Sequence, residues 1–102
     1  MKIQIGNNTI ELKRKFRSYV IYEAITGHIF QPKNLTDFMF YFYSVILACS
    51  PDIELTMSDF MDWLDNNETV FNDFITWLEA GDSIEGQFVN KETENQKKNS
   101  NH

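Results

Sequence analysis

A chain of 102 residues carrying 15 acidic against nine basic side chains has room for one hydrophobic core but not for a deep cleft between two domains. Its formal net charge of −6 argues against nucleic acid as a partner, because proteins that bind phosphate backbones concentrate Lys and Arg to displace counterions. One cysteine, Cys49, excludes an intramolecular disulfide, and MKIQIGNNTIEL lacks the continuous apolar region of a secretory leader, so a reducing, cytoplasmic location is expected.

The N-terminal KIQIGNNTIEL alternates apolar and polar residues on both sides of Gly6-Asn7-Asn8. This pattern predicts a short hairpin around a Gly-Asn-Asn turn, with Ile3, Ile5, Ile10 and Leu12 on one face. From Phe16 the period changes: Phe16, Tyr19, Val20, Glu23 and Ala24 recur at three and four residues, and Gly27 stands where a helix would stop. Those five residues are the expected inward face of a first helix.

The loop HIFQPKN leads to Asn34, a cap whose side chain is placed to accept from the amide of Asp37; Thr36 is the other candidate. A second helix follows and ends near Ser50, closed by Pro51. Residues 38 to 49, FMFYFYSVILAC, are apolar or aromatic except for Ser44. A membrane span needs roughly 20 apolar residues, and Asp37 and Pro51-Asp52 bound this run well short of that. No membrane association is expected, so a helix apolar on every side belongs at the centre of a small protein or against another molecule.

LTMSDFMDWLDNNETVFNDFITWLEAG supplies two further helices. Thr56 and Asp59 have capping-box spacing, and Phe60, Met61 and Leu64 share a face. Asn66-Asn67 breaks the run. Val70, Phe71, Phe74, Ile75 and Leu78 then form a second stripe ending at Gly81, so the two segments read as a short antiparallel pair. The remainder, DSIEGQFVNKETENQKKNSNH, has too little apolar surface to offset its ordering entropy. The expected organisation is a mainly α domain over 1–81, a bundle of about four helices centred on the second with an N-terminal β-hairpin, and a disordered tail over 82–102.

Little in the chain points to catalysis or to a cofactor. His28 and His102 are remote in sequence with no nucleophile beside either, and Cys49 lies in apolar surroundings that favour the inert thiol. Asp59, Asp62, Asp65 and Glu68 recur every three residues, the pattern of a solvated helix face. DNNETVFNDFIT opens like a calcium loop, but Val70 replaces the glycine at its sixth position and Thr76 the glutamate at its twelfth. There is no glycine-rich phosphate loop and no Cys-x-x-Cys. The chain is therefore expected to be neither an enzyme nor a metal or cofactor binder.

What stands out is aromatic content and charge asymmetry. Nine Phe, four Tyr and two Trp are concentrated toward the middle of the chain. Residues 1–33 carry Lys2, Lys13, Arg14, Lys15, Arg17 and Lys33 against Glu11 and Glu23, whereas residues 52–79 hold eight acids and no Lys or Arg. Such a split suits docking to a partner or to a second copy of the chain, and equally suits two faces that neutralise each other within the fold. The expected client or self-association surface is the face of the second helix that carries Phe38, Tyr41, Phe42 and Val45, with Trp63 and Trp77 as further anchors.

The succession KFRSYVIYEAITG, NLTDFMFYFYSVILACS and LTMSDFMDWLDNNETVFNDFITWL resembles the small tail assembly chaperones of long-tailed bacteriophages and prophages, over about residues 10 to 80. The likeness lies in the order and character of the segments, since that family has no invariant catalytic or ligand motif. It implies a non-enzymatic protein of the bacterial host cytoplasm that binds the aggregation-prone tape measure protein, keeps it soluble and helps recruit tail tube subunits during tail morphogenesis. Many members of that family also make a longer form by frameshifting near the end of the short one, which a polar tail here would suit. An alternative from charge alone is a small acidic phage or mobile-element adaptor that docks on a host protein and inhibits it.

Overall fold

Alternating isoleucines and a glycine build the first element. The computed structural model describes residues 1–81, in which β1 (Lys2–Ile5) and β2 (Asn8–Glu11) form an antiparallel pair with Ile3 opposite Ile10 and Ile5 opposite Asn8. The turn is the two residues Gly6-Asn7, shorter than the three-residue turn read from the sequence. Gly6 has φ 58° and no other residue of the turn has positive φ, the pattern of a type II′ connection whose twist matches that of the strands. Ile3, Ile5, Ile10 and Leu12 are all buried, as the alternation predicts. The open end is closed by Leu12 N–H donating to the Met1 carbonyl at 2.7 Å and by the Met1 ammonium on Glu11 Oε2 at 2.9 Å. The bond from that ammonium, more than the nearby Lys2 and Lys13, holds the Glu11 carboxyl below its usual range.

Helix α1 spans Phe16–Thr26, and its C-cap Gly27 sits at φ 74°, donating its N–H to Glu23 O at 2.8 Å. The stop is where the sequence places it, but the helix is turned differently. Ser18 and Tyr22 are buried while Phe16 is 80 % and Val20 53 % exposed, and Glu23 and Ala24 also face out. Apolar residues occur all round α1, so its own pattern does not select a face. The partner does: Tyr19 and Tyr22 meet Phe30 and Tyr41, and Ser18 fits the contact side by returning its hydroxyl to Lys15 O at 2.6 Å.

Helix α2 runs Leu35–Cys49. Asn34 Oδ1 accepts from Asp37 N at 2.9 Å, and Asp37 Oδ2 accepts from Lys33 N at 2.9 Å, a reciprocal cap at its start. From Asp37 to Cys49 no residue is exposed. This is the centre of the fold, in contact with α1 and β2. Ser44, the polar interruption in the run, is fully buried and satisfied by Phe40 O at 2.7 Å.

Helix α3 spans Met57–Asp65, with Thr56 Oγ1 accepting from Asp59 N at 3.0 Å. Its inward face is Phe60 with Trp63 and Leu64; Met61, expected on that face, is 46 % exposed. The Asn66-Asn67 break is held by side-chain amides that donate back to Asp62 O and Trp63 O at 3.0 and 2.8 Å, satisfying carbonyls that the end of α3 leaves open. A fourth helix, α4, covers residues 68–81. Gly81 is itself helical, so the end of α4 and the tail expected over 82–102 lie outside the described residues. The fold is thus mainly α with an N-terminal hairpin, as the sequence predicts.

The chain divides into two compact units, Met1–Phe71 and a second that begins at Asn72. Phe74 and Leu78 are buried and Ile75 is half-buried in the described part of the second unit, while Val70 and Phe71, which belong to the first, are half-buried as well. This matches the expected stripe.

Candidate interaction surface

Two aromatic clusters pack on neighbouring faces of α2, one through Tyr41 and one through Phe42. On one side Tyr19, Tyr22, Phe30 and Tyr41 gather, with Phe30–Tyr41 centroids at 4.6 Å and Tyr19–Phe30 at 4.7 Å. On the other, Phe42 meets Phe60 edge-on at 5.4 Å, Trp63 at 6.0 Å and Phe71 at 6.5 Å. Edge-to-face and tilted pairs at these separations add to the stabilisation that burial itself supplies.

The consequence for the expected binding face is direct. Phe42 and Val45 have no exposed surface and Tyr41 is 2 % exposed. All three are core residues, because the hairpin, α1 and α3 supply enough apolar side chains to enclose α2 in a chain this small. Phe38 is half-buried, as are Trp63 and Trp77. The structure brings Phe42 and Trp63 together within the core of the first unit, and Trp63 further donates its indole N–H to Gln4 O at 2.9 Å. Trp77 lies in the second unit, 5.9 Å from the ring of Phe74.

Sequence reasoning missed Tyr22, which is buried in α1, and Phe30, which packs half-buried against it. Phe30 is the less legible of the two. It stands in the connection between α1 and α2, where aromatic side chains carry no periodic signal. Its N–H on Glu23 Oε2 at 3.2 Å fixes the loop across the end of α1.

Burial dominates the electrostatics of the core tyrosines. It holds the Tyr41 phenol far above the usual tyrosine range, with neighbouring Tyr19 adding to the effect. Burial likewise raises Tyr22, reinforced by Asp37, and Tyr43, reinforced by Asp59. Tyr43 donates its hydroxyl to the carbonyl of Leu55, tying α2 to the segment that enters α3.

The surface itself has two kinds of feature. Among the described residues the large exposed apolar side chains are Phe16, Val20, Ile25, Ile29, Leu35 and Met61, of which Phe16, Leu35 and Ile29 are 80, 70 and 66 % exposed. The second feature is charge: all eight acids between Asp52 and Glu79 are exposed. Leu35, Met39, Leu64 and Phe71 line a cleft of about 230 Å³ with Asp65 and Glu68 on its rim.

Other chemistry is sparse. His28 is exposed and shares a polar depression with Gln31, Lys33 and Asp37. Cys49 Sγ accepts from Lys13 N at 3.2 Å and bonds back to Lys13 O at 3.4 Å, linking the end of α2 to the segment after β2. Among the described residues no group of three His, Cys, Asp or Glu is placed to hold a metal ion, and no helix is long and apolar enough to cross a membrane. No protein-family model matches the chain, and no curated protein or solved structure matches it.

Proposed function

We propose that this chain is a phage tail assembly chaperone, a non-enzymatic protein of the host cytoplasm that binds and solubilises the tape measure protein and helps recruit tail tube subunits around it. The observation that carries the reading is a small domain with a closed aromatic core that still displays Phe16, Ile29, Leu35 and Met61 on its surface and carries eight exposed acids between Asp52 and Glu79. Side chains that the core does not need, set on an acidic body, suit capture of an apolar, aggregation-prone helix while the complex stays soluble. The choice of client comes from the resemblance of the segments between residues 10 and 80 to that family.

Co-expression with the tape measure protein encoded beside the gene tests it. The client is expected in the soluble fraction, co-purifying with this chain, and Ile29→Asp with Met61→Asp is expected to reduce the rescue while the domain melts normally. A tape measure protein that stays insoluble alongside well-folded wild-type chain would remove the reading.

The exposed acids favour one second reading, the acidic adaptor that docks on a basic host protein. Its signature is affinity that falls steeply with salt, since long-range attraction between exposed charges is screened within about 8 Å at physiological ionic strength. Capture of an apolar helix is far less sensitive to salt.

A further inference from the structure

The cleft formed by Leu35, Met39, Leu64 and Phe71 is apolar inside and carries Asp65 and Glu68 at its edge, with no Lys or Arg lining it. Such a site fits an apolar side chain flanked by cations. The chain displays one. Phe16 opens α1 with its ring 80 % exposed, and Lys13, Lys15 and Arg17, all exposed, surround it in sequence. Size agrees as well: the cleft holds about 230 Å³, and a cavity of about 150 Å³ is enough for benzene.

Within one molecule the two cannot meet. Lys15 Nζ reaches Ala48 O at 3.5 Å and Lys13 N reaches Cys49 Sγ at 3.2 Å, which fixes the start of α1 at the C-terminal end of α2. Leu35 and Met39 stand at the other end of that helix. Leu35 and Ala48 are 13 residues apart in α2, which is about 20 Å at the ~1.5 Å rise of an α-helix. The knob of one molecule therefore requires the cleft of another.

We propose that the chain self-associates through this contact, Phe16 of one copy entering the Leu35–Phe71 cleft of the next while Arg17 and Lys13 face Asp65 and Glu68. The two surfaces differ, so the contact joins unlike patches of identical chains. It offsets the crowding of acidic groups around the cleft and covers Phe16 and Leu35 in the free protein. Nothing in it depends on which client, if any, the protein serves.

The test is mass measurement in solution with the full chain alone, by sedimentation or light scattering, on wild type, Phe16→Asp and Leu35→Asp. Both positions are exposed, and an added acid in the first turn of α1 or α2 agrees with the helix dipole, so both variants are expected to fold; circular dichroism melts check this. The expected result is concentration-dependent association of wild type, at least about tenfold weaker in either variant. An equimolar mixture is expected to recover a one-to-one complex, because one variant keeps an intact cleft and the other an intact knob. Wild type monomeric to about 1 mM would overturn the proposal, and so would variants that associate like wild type. Folded variants whose mixture stays monomeric would equally contradict it.

Discussion

Trp63 donates its indole N–H to the carbonyl of Gln4 across 2.9 Å, joining α3 to β1 over 59 positions of sequence. A two-stranded hairpin is marginal by itself, so this bond and the burial of Ile3, Ile5, Ile10 and Leu12 are what hold the ribbon on the helices. Trp63→Phe keeps an aromatic ring against Phe42 and Phe60 but removes the donor. The expected cost is about 1 kcal/mol in urea unfolding, accompanied by faster amide exchange in β1 and β2 than elsewhere. Uniformly faster exchange across the domain would mean the bond has no local role.

The core and the surface should separate cleanly under mutation. Phe42→Ala removes a ring with no exposed surface and is expected to cost about 3–5 kcal/mol, enough to unfold a marginal domain of this size. Leu35→Ser, at a position 70 % exposed, is expected to change stability by no more than about 0.5 kcal/mol. Paired thermal melts measure both. Loss of client binding in Phe42 or Tyr41 variants would therefore report unfolding, whereas loss in Leu35 or Ile29 variants would report the surface.

The helix starts are carried by single side chains. Thr56→Ala removes the acceptor for Asp59 N and is expected to cost about 1 kcal/mol, with Thr56→Ser retaining most of the stability. Asn34→Ala is expected to cost a similar ~1 kcal/mol at the start of α2. Denaturant midpoints for the three variants decide the point.

These local devices were legible in the sequence because each depends on residues only a few positions apart. Asn34 with Asp37, Thr56 with Asp59, the αL Gly27 and the turn glycine all stand where the pattern puts them. The orientation of α1 was not legible. Its apolar residues point in every direction, and the choice of Ser18 and Tyr22 over Phe16 and Val20 is made by Phe30 and Tyr41, which arrive from the loop and from α2. Met61 has the same explanation, since Phe60 and Trp63 meet Phe42 and turn Met61 outward. The greasy run of α2 posed a question that periodicity could not answer, because a helix apolar on all sides has the same sequence whether its own fold or a partner covers it. The enclosure of Tyr41, Phe42 and Val45 decides in favour of the fold, and the candidate surface moves to side chains left over from packing.

Alkali should weaken the domain in a defined direction. Tyr41, Tyr22 and Tyr43 all have phenols raised above the value of 10.0 that an unperturbed tyrosine has. Below that value the phenols are neutral in folded and unfolded chains alike, and their burial costs nothing in ionisation. Above it the unfolded chain loses protons that the folded chain retains, so stability falls as pH rises from about 10 toward the raised folded values. The slope is at most about 1.4 kcal/mol per pH unit for a phenol that stays protonated throughout in the folded chain, and Tyr41, the most strongly raised, is expected to contribute most. Denaturant midpoints between pH 8 and 11 measure it, and Tyr41→Phe is expected to flatten the decline.

The central claim is that α2 is the closed core of this domain and not its binding face. Native-state hydrogen exchange on the free protein tests it most directly. Amides from Tyr41 to Ala48 are expected to exchange only through global unfolding, with opening free energies equal to the stability from denaturant titration. Exchange of that segment through small local openings, well ahead of α1 and α3, would contradict the claim and return α2 to the surface.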